Sequence, residues 1–431
     1  MRPNKVYSSP PILILSGVRG DTRRYRTFHL YQQLSIAGVA CNLSHITDPH
    51  LPALAARAKV MVLHRVAYDG YVARLIAGVR QRGGLVLMDI DDLIFNVQGF
   101  QWIDSPDFHD PVRVALYKEE MARYRQTLDA VDGVLTSTNY LAEHVRESGK
   151  LAWVHRNAAS LELARLSELA RNRKRIPDGK LVLGYASGTP THNRDFATIF
   201  PVLKEYLHTY PEVELWIIGY LNLEPVWAGV ADRVRYYTPV DWRSLPFWLT
   251  QLDINLAPLV TENPFSQSKS EIKFMEAALV GLPTLAARTD AFNYAIRDGQ
   301  NGFLASSPEE WMTKLAHLRQ PDSREAVAKQ ANMDTLTGYT AQVRACQALE
   351  VLNEAAAALK KPFRWELQRN DHADLSVYDW TPELEDHPNL AEMGLYTLHH
   401  RGLKPLVAQI WVFFRRWLAK YVPYNRGQLS I

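Results

Sequence analysis

Cysteine is nearly absent: Cys41 and Cys346 are the only two among 431 residues. That scarcity excludes a disulfide framework and a cysteine-based metal site, and it suits a reducing compartment. Charge of one sign is missing too. The formal net charge is +3 and no recurring Lys/Arg and aromatic pattern accompanies it, so nucleic acid is not expected as a partner. No run of about 18 uninterrupted apolar residues predicts a spanning helix. The opening MRPNKVYSSP lacks the apolar region of a signal peptide, so a cytoplasmic chain is expected. A three-glycine dinucleotide fingerprint is lacking, since Gly17 and Gly20 stand alone in GVRG. What remains is globular in character, with 47% hydrophobic and 22% charged residues. Single cores seldom grow past about 250–300 residues, so two domains and an appendage are expected.

Short apolar runs ending in polar turns alternate with helical spacing along the chain. Residues 11–16, 59–63, 85–88 and 133–136 read as strands, and 24–37 and 71–81 as helices. This is a doubly wound α/β pattern whose strand ends line a cleft. His64 falls at one such end, and Asp89, Asp91 and Asp92 at another. A polar, basic stretch over 163–180, broken at Pro177, Asp178 and Gly179, marks a boundary. Strands at 181–185, 213–218, 234–236, 254–256 and 284–287 then build a second α/β unit. The division expected is 1–175, 176–330, a helix crossing back to the first domain over 331–361, and an extension over 362–431.

Residues 262–290 combine a start signal, a helix, a stop signal and a strand. Ser268 and Glu271 have capping-box spacing, and Gly281 with Pro283 ends the helix. Ser268, Lys269 and Ser270 then lie at a helix N-terminus, which favours an anion such as a diphosphate. Glu276, further in, can accept hydrogen bonds from a pair of sugar hydroxyls. The same charges also read as a surface pair, Lys273 with Glu276, beside a solvated edge, Lys269 with Lys273. A loop over 186–195 carries Gly188, Thr189, His192 and Arg194 before a helix, so it can cradle phosphate, with Arg194 preferred over His192. Asp89 and Asp91 have Asp-x-Asp spacing, which reads either as chemistry at the cleft or as loop capping.

The stretch EAALVGLPTLA resembles the C-terminal half of the Glu, seven residues, Glu motif of retaining family-4 glycosyltransferases, with Glu276 at the second Glu. The resemblance implies the GT-B fold, two Rossmann-like domains facing across a cleft, and a ribose-binding role for Glu276. Ser268 replaces the first Glu, so that carboxylate's contacts to the donor sugar are not implied. KSEIKFMEAA resembles a branch common in bacterial surface-polysaccharide synthesis. LVLMDIDDL lies where many members end a strand in Thr-x-His-Asp, which puts Asp91 at the His position and makes Asp91 and Asp89 the catalytic candidates. RGDTRRYR resembles a loop facing an anionic donor or a lipid-phosphate acceptor; Gly17, Gly20, Arg24, Arg26 and His64 are its candidates, with Arg23 beside them. LGYASGTPTHNRDF resembles the loop that supplies a basic pair to the diphosphate. The implied activity is transfer of a sugar, with retention, from a nucleotide diphosphate sugar to a growing, lipid-linked glycan. No cofactor and no metal are expected. Two alternatives stay open: a nucleotide-sugar epimerase on the same architecture, and a noncatalytic membrane-bound scaffold among polysaccharide-assembly enzymes.

The extension ends in a basic, amphipathic stretch. Leu406, Ile410, Phe414, Trp417 and Tyr421 share one helical face, with Gln409, Arg416 and Lys420 opposite, and no acidic residue follows Glu392. This reads as an interfacial helix at the inner face of the cell membrane, or as a core-packed or dimer-forming helix.

Overall fold

The computed structural model describes residues 12–173, 178–221, 226–361 and 390–421. The expectations for residues 1–11, for Pro177 and for the acidic stretch around 371–386 lie outside these residues.

Two parallel six-stranded sheets organise the chain. The first contains β1 (Ile12–Ser16), β2 (Cys41–His45), β3 (Val60–His64), β4 (Leu85–Ile90), β5 (Gly133–Thr136) and β6 (Ala152–Val154), in the order β2-β1-β3-β4-β5-β6. The second contains β7 (Leu181–Ser187), β8 (Val213–Gly219), β9 (Val234–Tyr237), β10 (Ile254–Ala257), β11 (Thr284–Ala287) and β12 (Phe303–Ala305), in the order β12-β11-β10-β7-β8-β9. The central strands are continuous apolar runs because helices cover both faces of each sheet. In the first sheet, Leu13, Leu63 and Met88 face one layer, while Ile14, Val62 and Leu87 face the other.

Three local departures from the sequence reading shape the cleft. The helix expected over 24–37 starts earlier, at Asp21, and passes through a π-helical turn at Arg24–Phe28 before continuing as His29–Ile36. All five residues of the π turn are buried. Such widened turns occur disproportionately at functional sites. Next, β4 runs through Ile90, so Asp89 lies within the sheet rather than beyond its end.

The third departure is at the expected capping box, which does not form. Ser268 terminates a short helix, Pro264–Gln267, and Glu271 precedes a second, Ile272–Leu279, without capping it through its side chain. Glu271 instead turns inward to Arg156, at 3.5 Å, and accepts a hydrogen bond from the Tyr339 hydroxyl at 3.1 Å. A buried guanidinium requires a counter-charge, and that demand outweighs a cap.

The helix Leu161–Arg171 buries Leu163 and Ala170 in the second domain, although it precedes residue 175. Ala341–Ala358 packs Ala348, Leu352 and Ala355 with Leu30 and Leu34 of the first domain. Each core also takes an aromatic ring from the other side: Tyr25 joins the second core and Phe265 the first.

At the C-terminal end, Leu390–Arg401 and Leu403–Tyr421 form a helical hairpin, turned at Gly402 with φ 89°. Gln409 is not on the outer face: its side-chain oxygen accepts from the buried Thr397 hydroxyl at 2.9 Å. Leu406 likewise lies against Gly394 inside the hairpin. The wheel read from sequence is therefore rotated. Leu403, Val407, Ile410, Trp411, Phe413 and Phe414 are the exposed apolar residues of this helix among those described.

Candidate active site

The C-terminal ends of β1 and β4 from one sheet, and of β7 and β8 from the other, meet at a cavity of about 320 Å³. Parallel α/β sheets place ligands at such ends because the crossover loops and helix N-termini converge there. The second domain supplies Gly188, Thr189, His192, Lys269, Ser270, Lys273 and Glu276; the first supplies Asp21, Thr22, Arg24, Tyr25, Asp91 and Asp92. An apolar end is formed by Ile218, Val240, Trp242, Leu245 and Leu249.

The helix Ile272–Leu279 begins at the rim and aims Lys273 and Glu276 inward, while Lys269 lines the cavity from the link before it. Lys269 reaches across the cleft to Asp92 at 2.9 Å. Lys273, which the sequence also allowed as a solvated edge, donates to the Ala186 carbonyl at 2.7 Å and lies 4.4 Å from the Tyr185 ring centroid. Burial pushes its ammonium down to about 8, partly offset by Asp195 and Glu276. The i,i+4 relation to Lys269 was the available signal, but it identifies a face without saying that the face is covered. Glu276 accepts from the Tyr25 hydroxyl, and burial pushes its carboxyl above the ordinary value.

Gly188 opens on the cavity, where an added Cβ would have Asp21 Oδ2 as its nearest neighbour at 3.9 Å. Ser270 Oγ accepts from Asn157 Nδ2 at 2.9 Å, leaving its proton free to donate. His192 pairs through Nδ1 with Asp195 at 2.8 Å, and burial lowers its basicity. A neutral ring that donates Nδ1–H to Asp195 presents Nε2 as an acceptor.

Two donor-side expectations are corrected. Arg194 is absent from the cavity wall, has a side chain 61% exposed, and approaches Asp104 at 4.0 Å. It lies on the outer side of its short helix, and Lys273 occupies the cationic place expected of it. Ser268 is fully buried, donates to the Phe265 carbonyl at 2.7 Å and accepts from the Leu93 N–H at 3.3 Å. It ties the loops together and lies behind the wall.

On the first-domain side, three residues expected at the surface of the cleft form its foundation. Asp89 is fully buried and receives Arg26 Nε at 2.8 Å and Nη2 at 2.7 Å. Burial alone would raise its carboxyl, but the guanidinium outweighs it and holds it low. His64 Nδ1 lies 3.2 Å from Asp89 Oδ1, and its Nε2 lies 3.1 Å from Thr22 Oγ1. Arg26 also donates to the His155 carbonyl at 2.6 Å and to Asn157 Oδ1 at 3.1 Å. With their hydrogen-bonding groups committed inward, Arg26, His64 and Asp89 hold the site and do not meet substrate directly. Gly17 is also structural: its N–H donates to the His64 carbonyl, and a Cβ there would come within 2.3 Å of the Arg65 carbonyl. Gly20, at φ 80°, supplies the left-handed turn before Asp21.

Asp91 ends this buried polar chain at the cavity. It accepts from Thr22 Oγ1 and from Arg65 Nε at 2.6 Å. Burial would raise its carboxyl, but Arg65 and then His64 keep it ionised. Arg65 also bonds Asp92, and it does so from a left-handed backbone, φ 45°. Backbone strain of this kind costs on the order of 1–3 kcal/mol and concentrates at functional sites. Arg24, 4% exposed, pairs with Asp21 at 3.0 Å and lies 4.4 Å from both the Tyr25 and Trp242 rings, against the apolar end.

Residues 182–320 match the family model described as Glycosyl transferases group 1. A D-inositol 3-phosphate glycosyltransferase of Streptomyces griseus is 27% identical over 159 residues, covering 37% of this chain and 27% of that relative. D-inositol 3-phosphate glycosyltransferase 2 of Catenulispora acidiphila is 32% identical over 100 residues, covering 23% and 22%. The chain thus matches about a quarter of the length of these curated relatives. Among solved structures, the Anabaena protein HepE, in complex with UDP and glucose, aligns with TM-score 0.52 at 13% identity over 80% of this chain and 99% of its own. Sucrose-phosphate synthase from Thermosynechococcus elongatus aligns with TM-score 0.56 at 13% identity over 81% and 100%. These likenesses establish the GT-B fold.

Proposed function

We propose that this protein is a glycosyltransferase that moves a sugar from a nucleotide diphosphate sugar to a bacterial surface glycan carried on a lipid, with retention at the anomeric carbon. The group 1 domain match over 182–320 and the named glycosyltransferase relatives support the reaction class. The observation that carries the reading is the convergence of Lys269, Lys273 and Glu276 from one helix and its approach on a cavity at the facing strand ends.

In this reading Glu276 accepts the ribose hydroxyls after releasing Tyr25, and the apolar end by Trp242 receives the base. The diphosphate lies against Gly188, Ser270 and the two lysines. Charge developing on the leaving diphosphate is then met by Lys269 and Lys273. Asp91, kept ionised by Arg65, faces the transferred sugar or the acceptor hydroxyl. Asp89 and Asp91 point to different partners, Arg26 and Arg65. The donor is a substrate, and no resident cofactor is assigned. The acceptor places the enzyme at the inner face of the cell membrane, beside other polysaccharide-assembly enzymes.

Donor turnover measured with wild type and with Lys269→Ala tests the reading. The substitution is expected to lower kcat/KM by about 100-fold, the scale of removing one charge-stabilising group. Unchanged turnover in the variant would contradict it, and turnover without acceptor that inverts a sugar centre would point to an epimerase.

A further inference from the structure

Among the described residues, the C-terminal hairpin presents an exposed apolar face. Leu403, Val407, Ile410, Trp411 and Phe414 are 46–64% exposed, all on one side of the second helix. On an ideal helix these residues fall within one contiguous arc, the half-buried Leu406 lies at its edge with the exposed Phe413 beyond it, and Gln409 falls farthest away, against the first helix. This is no frayed end. The first hairpin helix is fastened to the first domain: the Tyr396 hydroxyl donates to Asp69 Oδ2 at 3.1 Å, His400 stacks on Tyr71 at 4.3 Å, and Arg401 pairs with Glu119 at 3.0 Å. Asp69 also caps the helix Gly70–Gln81, accepting from the N–H groups of Tyr71 and Val72. The hairpin therefore has a fixed bearing on the domain that carries Asp91.

Charge says what covers this face. From residue 393 onward the sequence contains Arg401, Lys404, Arg415, Arg416, Lys420 and Arg426 and no acidic residue. Lys404 is exposed beside Leu403 at the edge of the apolar arc. No helix among the described residues is long and apolar enough to cross a membrane. An apolar arc containing Trp, Phe and Ile with cationic flanks matches an interface between acyl chains and anionic headgroups, with the helix lying in the plane.

We infer that the hairpin seats the first domain on an anionic phospholipid surface through Leu403, Val407, Ile410, Trp411 and Phe414. The Tyr71, Asp69 and Glu119 contacts then transmit that orientation to the acceptor side of the cleft. This deepens the membrane assignment made for the glycosyltransferase, but the surface stands on its own geometry and is testable without sugar transfer.

The test is co-sedimentation of the full chain with vesicles of phosphatidylcholine and phosphatidylglycerol, and with vesicles of phosphatidylcholine alone. The wild type is expected to bind the anionic vesicles and to be released as salt rises. Val407→Glu with Ile410→Glu alters two exposed side chains and is expected to cut the bound fraction about tenfold, with an unchanged circular dichroism spectrum. Tyr396→Phe with His400→Ala provides a second readout: the vesicle-bound protein should keep its lipid affinity but lose protection of Tyr71 and Asp69 from hydrogen exchange. Equal binding by the glutamate variant would overturn the inference. So would wild type that ignores anionic vesicles, or a dimer in solution that the glutamate variant dissolves while vesicle binding is absent. Lipid binding by a chain that transfers no sugar would overturn the enzymatic reading and leave this one standing.

Discussion

Lys273 is the cation at which the environment does most to change the chemistry. In the free protein its ammonium loses its proton as pH rises through about 8, because burial disfavours the charged form. In the proposed function that charge holds the donor diphosphate. Nucleotide-sugar affinity should therefore be flat below pH 8 and fall above it, approaching about tenfold per pH unit. Calorimetric titrations between pH 7 and about 9.5 check this slope, and Lys273→Arg should flatten it because a guanidinium stays charged throughout. A slope that survives in Lys273→Arg would assign the titration to another group. Glu276 is shifted upward by the same desolvation, so wild type offers one raised carboxylate and one lowered amine on a single helical turn. Environments that push neighbouring groups in opposite senses are a mark of functional sites.

At the scale of elements, the buried pair Arg26 with Asp89 explains why a helix, a strand and a loop meet where they do. Arg26 comes from the π turn, Asp89 from β4, and His155 and Asn157 from the segment after β6. Arg26→Ala strands an ionised carboxylate in the core and should destabilise the first domain by about 3–5 kcal/mol. Urea unfolding followed by circular dichroism checks it; a shift below about 1 kcal/mol would mean that Asp89 relaxes to another partner. The double replacement Arg26→Met with Asp89→Leu should recover much of the loss, since neither charge is then stranded.

Much of this level was legible in the sequence. Apolar runs and Gly or Asp stops gave the alternation of strands and helices, and Glu276, Lys269 and Ser270, read together from one stretch, line one cavity. Three placements were not legible, each for a stated reason. Ser268 and Glu271 have capping-box spacing, but Arg156, 115 residues away, claims the glutamate. Asp89 reads as a strand end because strand length cannot be judged where apolar residues stop and a buried ion pair continues. Arg194 and Lys273 exchange roles because periodicity identifies a face and only tertiary packing covers it.

As a whole molecule, the two domains are latched by contacts between the very groups that a donor would use. Asp92 holds Lys269, Tyr25 holds Glu276, and Asn157 holds Ser270. Tyr140 N–H on Asp290 and Asn263 on the Trp102 carbonyl add contacts elsewhere along the interface. In the proposed function an arriving diphosphate displaces the Asp92 carboxylate from Lys269, which would couple donor binding to a change in the cross-domain contacts. Asp92→Ala removes that competitor while leaving Arg65 on Asp91. Nucleotide-sugar affinity should rise about two- to fivefold, the scale of a partly exposed ion pair. A fall in affinity on isothermal titration would instead make Asp92 part of the donor site.

The most direct test of the site is binding of UDP, GDP and dTDP, with their sugars, to purified wild type and to Glu276→Ala. One nucleotide class should bind selectively to the wild type, and the variant should bind that class roughly 10- to 100-fold more weakly, as expected for loss of a charged hydrogen-bonding partner. Equal binding by the two proteins, or no nucleotide binding by the wild type, would contradict the assignment of this cavity as a nucleotide-sugar site.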